Sequence, residues 1–317
     1  MKKAFVGAAF AAITLLGAST ALADGLVASP AQLSQKERTA LQQAIATDRA
    51  QNPAAYEAVR NVQGYKPETY KKFRNPIPMV GRELRHLGKS AFLPMLEALA
   101  FDVWDREGAT DAEWNALKVG MLEAVGYHGD LRSAPIVKLA FAASEAPAVE
   151  RAAAEAVGAL CNQDADALAT LVKALDKPGQ SQQRRLAAID GLGQCRVQGA
   201  AEALGRALGK AQSAEEVHVI TLALGNLGSS WAWRAIERKD PARAAEGLEI
   251  RRIATEALVK GFLRFDGDRR TRHQVALGMV QHPEIRAIAQ PLRAGADAAG
   301  LAALDRVVAQ VERRAKR

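Results

Sequence analysis

Cys161 and Cys195 are the only cysteines in the chain and its first candidates for chemistry. Each follows an apolar helical segment, and the two segments are consecutive units of a repeating pattern. Packed helices lie about 8–10 Å apart, whereas a disulfide needs Cα atoms within about 7 Å. In its repeat, Cys195 lies two residues beyond the position that corresponds to Cys161. These two extra residues would bring the two Cα atoms within disulfide distance. The spacing favours a disulfide between neighbouring units, with two buried free thiols as the alternative.

Two tryptophans stand close together in Trp231-Ala232-Trp233. Residues two apart on a helix face different sides, so one indole is expected to pack inward. The other is a candidate for binding, because exposed tryptophans are frequent anchors at protein interfaces. The alternative is that both side chains belong to the core or are partly covered.

A cluster of basic residues follows in the sequence and could form one positively charged face. Its members are Arg251, Arg252, Arg269, Arg270 and Arg272, together with Lys260 and Arg264. Such a face would suit acidic peptides, lipid head groups or polyanionic glycans. Ordinary solvated helix surface is the alternative interpretation.

Other side chains offer no recognisable chemistry. The histidines are His86, His128, His218, His273 and His282, and none has a zinc-binding spacing. The chain contains neither a glycine-rich phosphate loop nor a serine in a nucleophile-elbow context. We therefore expect no enzyme activity, no cofactor and no metal site.

The elements that must position these residues are repeated pairs of helices. Apolar helical segments end in small residues and glycine, and the endings that begin at Ala124, Ala156, Ala188 and Ala223 lie 32, 32 and 35 residues apart. Periods of this length are typical of stacked repeats that share a core. Sustained alternation of apolar and polar residues is lacking, so the sequence predicts an all-α fold. We expect the fifth pair at about 214–227 and 231–238, and the sixth at about 246–263 and 268–281.

Glycines are expected to have two roles in these pairs. Gly126, Gly158, Gly191 and Gly225 lie near the end of the first helix, where a missing side chain allows close packing. Gly129, Gly193 and Gly228 are expected to end helices in the left-handed conformation.

The segment Ala124-Val125-Gly126-Tyr127-His128-Gly129-Asp130-Leu131-Arg132-Ser133-Ala134-Pro135 resembles the HEAT-repeat family. It is most similar to the short bacterial repeats also found in phycobilisome bilin lyases, where a Gly-Asp-x-Arg-Ala turn joins the two helices. The match is best over 121–141 and looser over 77–293. The resemblance implies an α-α superhelix of about six to seven helix pairs and a scaffold or adaptor role. A lyase or chaperone of the same repeat type is an alternative.

The amino terminus has the features of a secretory signal peptide. Lys2 and Lys3 precede an apolar stretch from Ala4 to Leu16, and Ala21-Leu22-Ala23 supplies the small residues of a cleavage site. We expect residues 1–23 to be removed and the mature chain to begin at Asp24. Residues 24–75 then form a helical extension, and residues 76–317 form the repeat array. No later run is apolar enough to span a bilayer, so a periplasmic or secreted protein is expected.

Charge is distributed unevenly. The net charge of the chain is +8, but the ends are basic and the middle is acidic. The most direct prediction is an exported scaffold that binds another protein, with an acidic peptide as one form of partner. An envelope protein that binds anionic surface polymers through its basic ends is the other alternative. Nucleic acid is not expected as a partner, because export separates the protein from it.

Overall fold

The computed structural model of the protein describes residues 25–62, 80–106, 108–144 and 146–315. The predicted signal peptide, the expected mature start at Asp24 and the predicted domain boundary at 75/76 lie outside these residues. The described residues form helices and no strand, as the sequence predicts.

The N-terminal part of the described chain contains α1 (Gln35–Gln51) and α2 (Pro53–Asn61). The next helices are α3 (Val80–His86), α4 (Phe92–Ala100), α5 (Asp111–His128), α6 (Ala134–Ala143), α7 (Pro147–Gly158) and α8 (Ala165–Asp176). They are followed by α9 (Gln182–Gln194), α10 (Gln198–Lys210), α11 (Ala214–Leu227) and α12 (Ser230–Lys239). The chain ends in α13 (Ala244–Arg264), α14 (Gly267–Val280), α15 (Ile285–Ala289) and α16 (Ala298–Ala315).

The N-terminal segment packs on α4. The amides of Leu26 and Val27 donate to the carbonyls of Ala98 and Leu99, each at 3.0 Å. Helix α1 begins at a capping box, in which the Ser34 hydroxyl accepts from the Glu37 amide and the Glu37 carboxylate accepts from the Ser34 amide. Helices α1 and α2 both contact α4. This part of the chain therefore covers one end of the helical body that follows.

Two layers of helices make up that body. In the first layer, α3, α5, α7, α9, α11 and α14 contact one another in that order. In the second layer the order is α4, α6, α8, α10 and α13. The apolar core lies between the layers, where Leu96, Leu122, Ile136 and Leu171 are fully buried. Burial of this continuous apolar surface is the main term that stabilises the arrangement.

The order of helices in the two layers changes after α11. We expected the fifth and sixth pairs to follow the earlier ones, but α12 joins neither layer. Instead α13 packs beside α10 in the second layer, and α14 packs beside α11 in the first. In the predicted sixth pair, the first helix (α13) therefore lies in the second layer, and the second helix (α14) lies in the first layer. Helix α12 lies outside both layers.

Glycines allow the first layer to pack closely. A Cβ atom at Gly158 would lie 2.0 Å from the Gly191 carbonyl oxygen. Gly129 adopts the expected left-handed conformation with φ of 60° and ends α5. The same expectation was wrong for Gly193 and Gly228, neither of which has a positive φ. Both instead allow close contact, since a Cβ at Gly193 would lie 3.0 Å from the Ala223 Cα.

Cys161 and Cys195 form a disulfide with a Cα–Cα distance of 5.2 Å. Cys161 lies in the turn after α7, and Cys195 caps the C-terminus of α9. Both residues are buried. The bond thus joins the ends of two adjacent first-layer helices, and the sequence had left this pairing open against two free thiols.

Candidate functional site

Helix α12 is held in place by Trp233. This side chain is completely buried, and its indole N–H donates to the Leu227 carbonyl at 2.9 Å. Gly247 makes room for the ring, because a Cβ atom there would lie 2.4 Å from it. The Arg243 guanidinium covers the ring at 5.3 Å from its centroid. Trp233 therefore fixes which face of α12 is directed toward solvent.

Trp231 lies on the opposite side of α12 and is 73% exposed. Arg234 and Arg238 follow three and seven residues later and are also exposed. Residues at this spacing share one face of a helix. We call the set formed by Trp231, Arg234 and Arg238 the Trp231 surface. Single exposed apolar residues are common, so its distinguishing feature is an exposed indole in line with two cations.

Neither cation of the Trp231 surface has an acidic partner among the described residues. Arg234 and Arg238 take part in no ion pair there, whereas Arg243 and Arg252 are paired with glutamates. Burial lowers the pKa of Arg251; Glu237 on α12 opposes this effect, and Arg234 adds to it. Burial and the nearby Arg243 lower the pKa of Arg196 to about 10. Arg234 and Arg238 therefore present positive charge that no ion pair among the described residues neutralises, and such charge favours an anionic partner.

Two of the arginines that we proposed from the sequence as a basic face stabilise helix ends instead. The Arg251 guanidinium donates to the carbonyls of Val280, at 3.0 Å, and Gln281, at the C-terminus of α14. The Arg270 guanidinium donates to the Phe265 carbonyl at 2.8 Å, beyond the last turn of α13. Such contacts satisfy carbonyls that have no partner within the helix. Because α13 and α14 run antiparallel, these two arginines lie at opposite ends of the pair.

The remaining candidates are also spread apart. Arg252 binds Glu249 at 2.7 Å and Glu256 at 3.1 Å, so carboxylates on its own helix neutralise its charge. Arg269 stacks over Phe265 at 4.9 Å. Arg272 is exposed and makes no ion pair with any residue that the structure describes. The structure thus retains Trp231 and Arg272 as exposed candidates, and it places Trp233, Arg251 and Arg270 in structural roles.

Arg234 and Arg238 were missed in the sequence, although a signal was present. Their spacing from Trp231 is that of one helical face, whereas the basic face predicted from the sequence contains only residues from Arg251 onward. Isolated arginines are less conspicuous than runs of arginine. They are informative here because neither forms an ion pair with a described residue.

Metal binding finds no support in the geometry. The described part of the chain has no group of three His, Cys, Asp or Glu side chains that could hold an ion. His273 is fully buried and hydrogen-bonds through Nδ1 to the Arg269 carbonyl oxygen at 2.7 Å. His282 is buried as well, and its Nδ1 accepts from the Glu284 amide at 3.1 Å. Burial lowers the pKa of both imidazoles.

A second surface runs along the solvent side of the first layer. It contains two adjoining hollows of about 360 and 470 Å³, which we call the first-layer groove. Arg151 lies between them and donates to Glu155 at 3.2 Å and to Asp190 at 2.9 Å. The exposed ring of Tyr127 lies under Arg85, 5.5 Å from the guanidinium carbon. Arg151 is thus paired with two of the acidic side chains of this groove.

Asp190 makes stability depend on pH. Burial, opposed by Arg151 and reinforced by Glu155, raises the pKa of Asp190 from 3.8 to about 6. The folded state then binds the proton more tightly than the unfolded state, so stability falls as the pH rises from 3.8 to about 6. Asp190→Asn is expected to be more stable than wild type above pH 6 and equal to it near pH 4. Loss of the ion pair with Arg151 lowers the stability of Asp190→Asn only slightly, because the Arg151 side chain is 54% exposed.

Urea unfolding of both proteins between pH 4 and pH 8 measures this difference. Asp176→Asn, at the exposed end of α8, is the matched control and is expected to show no such pH dependence. A difference between Asp190→Asn and wild type that stays constant across the range would contradict the role of Asp190.

Comparison of the chain with protein-family models and with curated proteins finds no match to either. Among the described helices, none is both long and apolar enough to cross a bilayer. The fold and the site therefore define an all-helical protein with a disulfide between first-layer helices and an exposed aromatic and basic surface.

Proposed function

We propose that this protein is an exported scaffold of HEAT-like helical repeats, which binds another protein through the Trp231 surface. The single observation that carries this proposal is an indole 73% exposed on the same helical face as two arginines without acidic partners. Tryptophan and arginine are the residues most enriched among those that dominate binding energy at interfaces.

The repeat architecture is supported by the order of contacts in the two layers. Each first-layer helix packs mainly on the preceding and following first-layer helix, which is how stacked repeats bury a shared core. We propose that this stacking continues as a curved α-α superhelix. In that arrangement α12, which belongs to neither layer, projects from the side of the array and is free to contact a partner.

Export is supported by two independent features. The sequence of residues 1–23 has the charged start, apolar stretch and small-residue site of a signal peptide. The disulfide between Cys161 and Cys195 is a bond that persists in oxidising compartments and is rare in the cytosol. The periplasm or the extracellular space is therefore the proposed location.

The chemistry of the Trp231 surface indicates the kind of partner. Arg234 and Arg238 present charge that the described acids do not neutralise, so an acidic segment would gain charge-assisted hydrogen bonds from both. Trp231 offers a large, rigid apolar contact between partner and scaffold. An acidic peptide segment that also carries an apolar side chain fits this combination best.

Site-specific cross-linking tests the proposal. A photo-reactive benzoylphenylalanine at position 231, in protein exported by its native host, is expected to give one discrete adduct with a partner protein. Arg234→Ala combined with Arg238→Ala should abolish most of that adduct. Once the partner is purified, Trp231→Ala is expected to weaken binding about thirtyfold, equivalent to about 2 kcal/mol.

Tyr127, which is 70% exposed on α5, provides a matched control position for the cross-linker. No adduct at position 231, or the same adducts at both positions, would contradict the proposal. A broad smear of high mass at position 231 in place of a discrete band would favour the anionic surface polymer as the partner.

A further inference from the structure

A buried histidine holds the junction between α14 and α15. His282 is 2% exposed and lies between Gln281, which ends α14, and Pro283, which precedes α15. Its Nδ1 accepts from the amide of Glu284, the residue that caps the N-terminus of α15, at 3.1 Å. Asparagine side chains make the same contact with the amide two residues further on. The imidazole therefore acts as a hydrogen-bond acceptor in the turn that starts α15.

Protonation would reverse the role of the His282 Nδ1. A neutral imidazole has one nitrogen that donates and one that accepts, whereas both nitrogens of an imidazolium donate. A protonated Nδ1 would direct its N–H at the Glu284 N–H, and the hydrogen bond between them would be lost. Because the side chain is buried, leaving these donors without an acceptor is costly unless the junction opens to water. The closed junction thus favours a neutral His282.

The charged groups around His282 also affect its protonation. Among the described residues they come from α13 and from the junction itself, and they are Arg251, Arg252, Glu249 and Glu284. Burial is the main reason that the pKa of His282 lies below 6.5, and the nearby Arg251 lowers this pKa further. Glu284 and the Leu248 carbonyl act in the opposite direction, and Arg252 adds a smaller lowering effect.

The backbone at this junction is strained. Gln281 has a φ of 48°, and among the described residues it is the only one other than glycine with a positive φ. This left-handed conformation is disfavoured for residues that have a side chain, so contacts with the rest of the body must maintain it. Arg251 of α13 supplies two of them by donating to the carbonyls of Val280 and Gln281. Loss of contacts at the junction would therefore also relieve strain.

Helices α15 and α16 cover apolar surface at the C-terminal end of the body. Ile285 of α15 and Leu304 of α16 are fully buried, and Val311 of α16 is 1% exposed. Both helices pack on α13 and α14. The Arg286 guanidinium of α15 pairs with the Glu312 carboxylate of α16 at 2.8 Å, which joins the two helices to each other. Opening of the junction would therefore release them as one unit.

We propose that His282 is an acid-sensitive switch, whose protonation releases α15 and α16 from α13 and α14 and exposes the apolar surface beneath them. Because its pKa is lower in the closed state, His282 binds its proton more tightly after release. The closed state is fully stabilised above pH 6.5 and loses stability as the pH falls from 6.5 towards the lower pKa of the closed state. Each pH unit in that range shifts the equilibrium towards release by up to about tenfold. The switch does not depend on the function proposed for the Trp231 surface.

Hydrogen exchange of the full chain between pH 7 and pH 4, corrected for the intrinsic effect of pH on exchange, tests the proposal. Protection of α15 and α16 is expected to fall by up to about tenfold per unit below pH 6.5, at pH values where α9 remains protected. NMR titration of the His282 imidazole should show protonation over the same range. The proposal is overturned if His282 becomes protonated while α15 and α16 stay protected, or if α9 loses protection together with them.

His282→Asn provides a switch residue that acid cannot protonate. Its side-chain oxygen can still accept from the Glu284 amide, so the turn should form, although the smaller side chain lowers stability at every pH. Protection of α15 and α16 is expected to change less than about twofold between pH 7 and pH 5 in this variant. His218→Asn, at an exposed histidine of α11, is the matched control and should retain the wild-type response. A wild-type response in His282→Asn would contradict the proposal, and the wild-type NMR titration decides the question if that variant does not fold.

Discussion

Gly158→Val is expected to destabilise the protein by about 3 kcal/mol, at the upper end of the usual cost of overpacking. The first added carbon would lie 2.0 Å from the Gly191 carbonyl oxygen and 2.9 Å from the carbonyl carbon of the same residue. Both are backbone atoms of α9, so no side-chain rotation can relieve the contact. The two helices must move apart, which exposes or leaves unfilled the core that lies beneath them.

Gly209→Val provides the matched control. Gly209 is also in a helix, but a Cβ atom there would meet nothing within 4 Å. Valine and glycine differ by only a few tenths of a kcal/mol in helix propensity, so this variant should melt close to wild type. Thermal and urea unfolding of the two variants measures the cost of the contact itself. Equal melting temperatures for Gly158→Val and wild type would show that α7 and α9 do not pack at this point.

Loss of the disulfide is expected to have a similarly large effect. The bond closes a loop with a sequence separation of 34 residues, for which the chain-entropy model gives about 3–4 kcal/mol at 25 °C. Cys161→Ala, Cys195→Ala and the double variant should all lose about the same amount, because each removes the same bond. Hydrogen exchange should accelerate mainly in α7, α8 and α9, since the bond joins the ends of α7 and α9.

Thiol labelling checks the premise of this prediction. Protein taken from its native compartment and denatured without reductant is expected to label at neither cysteine. After reduction, both should react. Full labelling before reduction would instead establish two buried free thiols, and the alanine variants would then cost only the lost packing of two small side chains.

The two predictions test different statements about the molecule. Gly158→Val tests the packing of neighbouring first-layer helices and applies in any compartment. The cysteine variants test packing together with the oxidising environment that the proposed export requires. If Gly158→Val is strongly destabilising and both thiols are free, the packing of the first layer is supported. One of the two arguments for export is then lost.

Local sequence determined much of the secondary structure of the described residues. The capping box at Ser34 and Glu37 places the start of α1, and the left-handed Gly129 places the end of α5. The helical spacing of apolar residues, without strand patterns, predicts the all-α class that the structure has. These features could be predicted because caps and periodicity depend on residues within a few positions of one another.

Tertiary structure alone decided which helices pair and which side chains remain free. The sequence contains no local sign that α12 lies outside both layers, or that α13 lies in the second layer and α14 in the first. These positions depend on which apolar helix faces pack against each other. The same holds for Arg251, whose acceptors lie about 30 residues away in sequence. Whether an arginine is a binding residue or a helix cap depends on the carbonyls that reach it in space.

The candidate sites show this division most clearly. Helical spacing alone requires Trp231 and Trp233 to face different sides, but only packing against Leu227 and Gly247 decided that Trp233 is the buried one. The hollow of about 730 Å³ between the N-terminal segment and the helical body could not be predicted, because its walls come from three separate parts of the chain. Local interactions are encoded by neighbouring residues, whereas a cavity exists only after distant segments have packed around it.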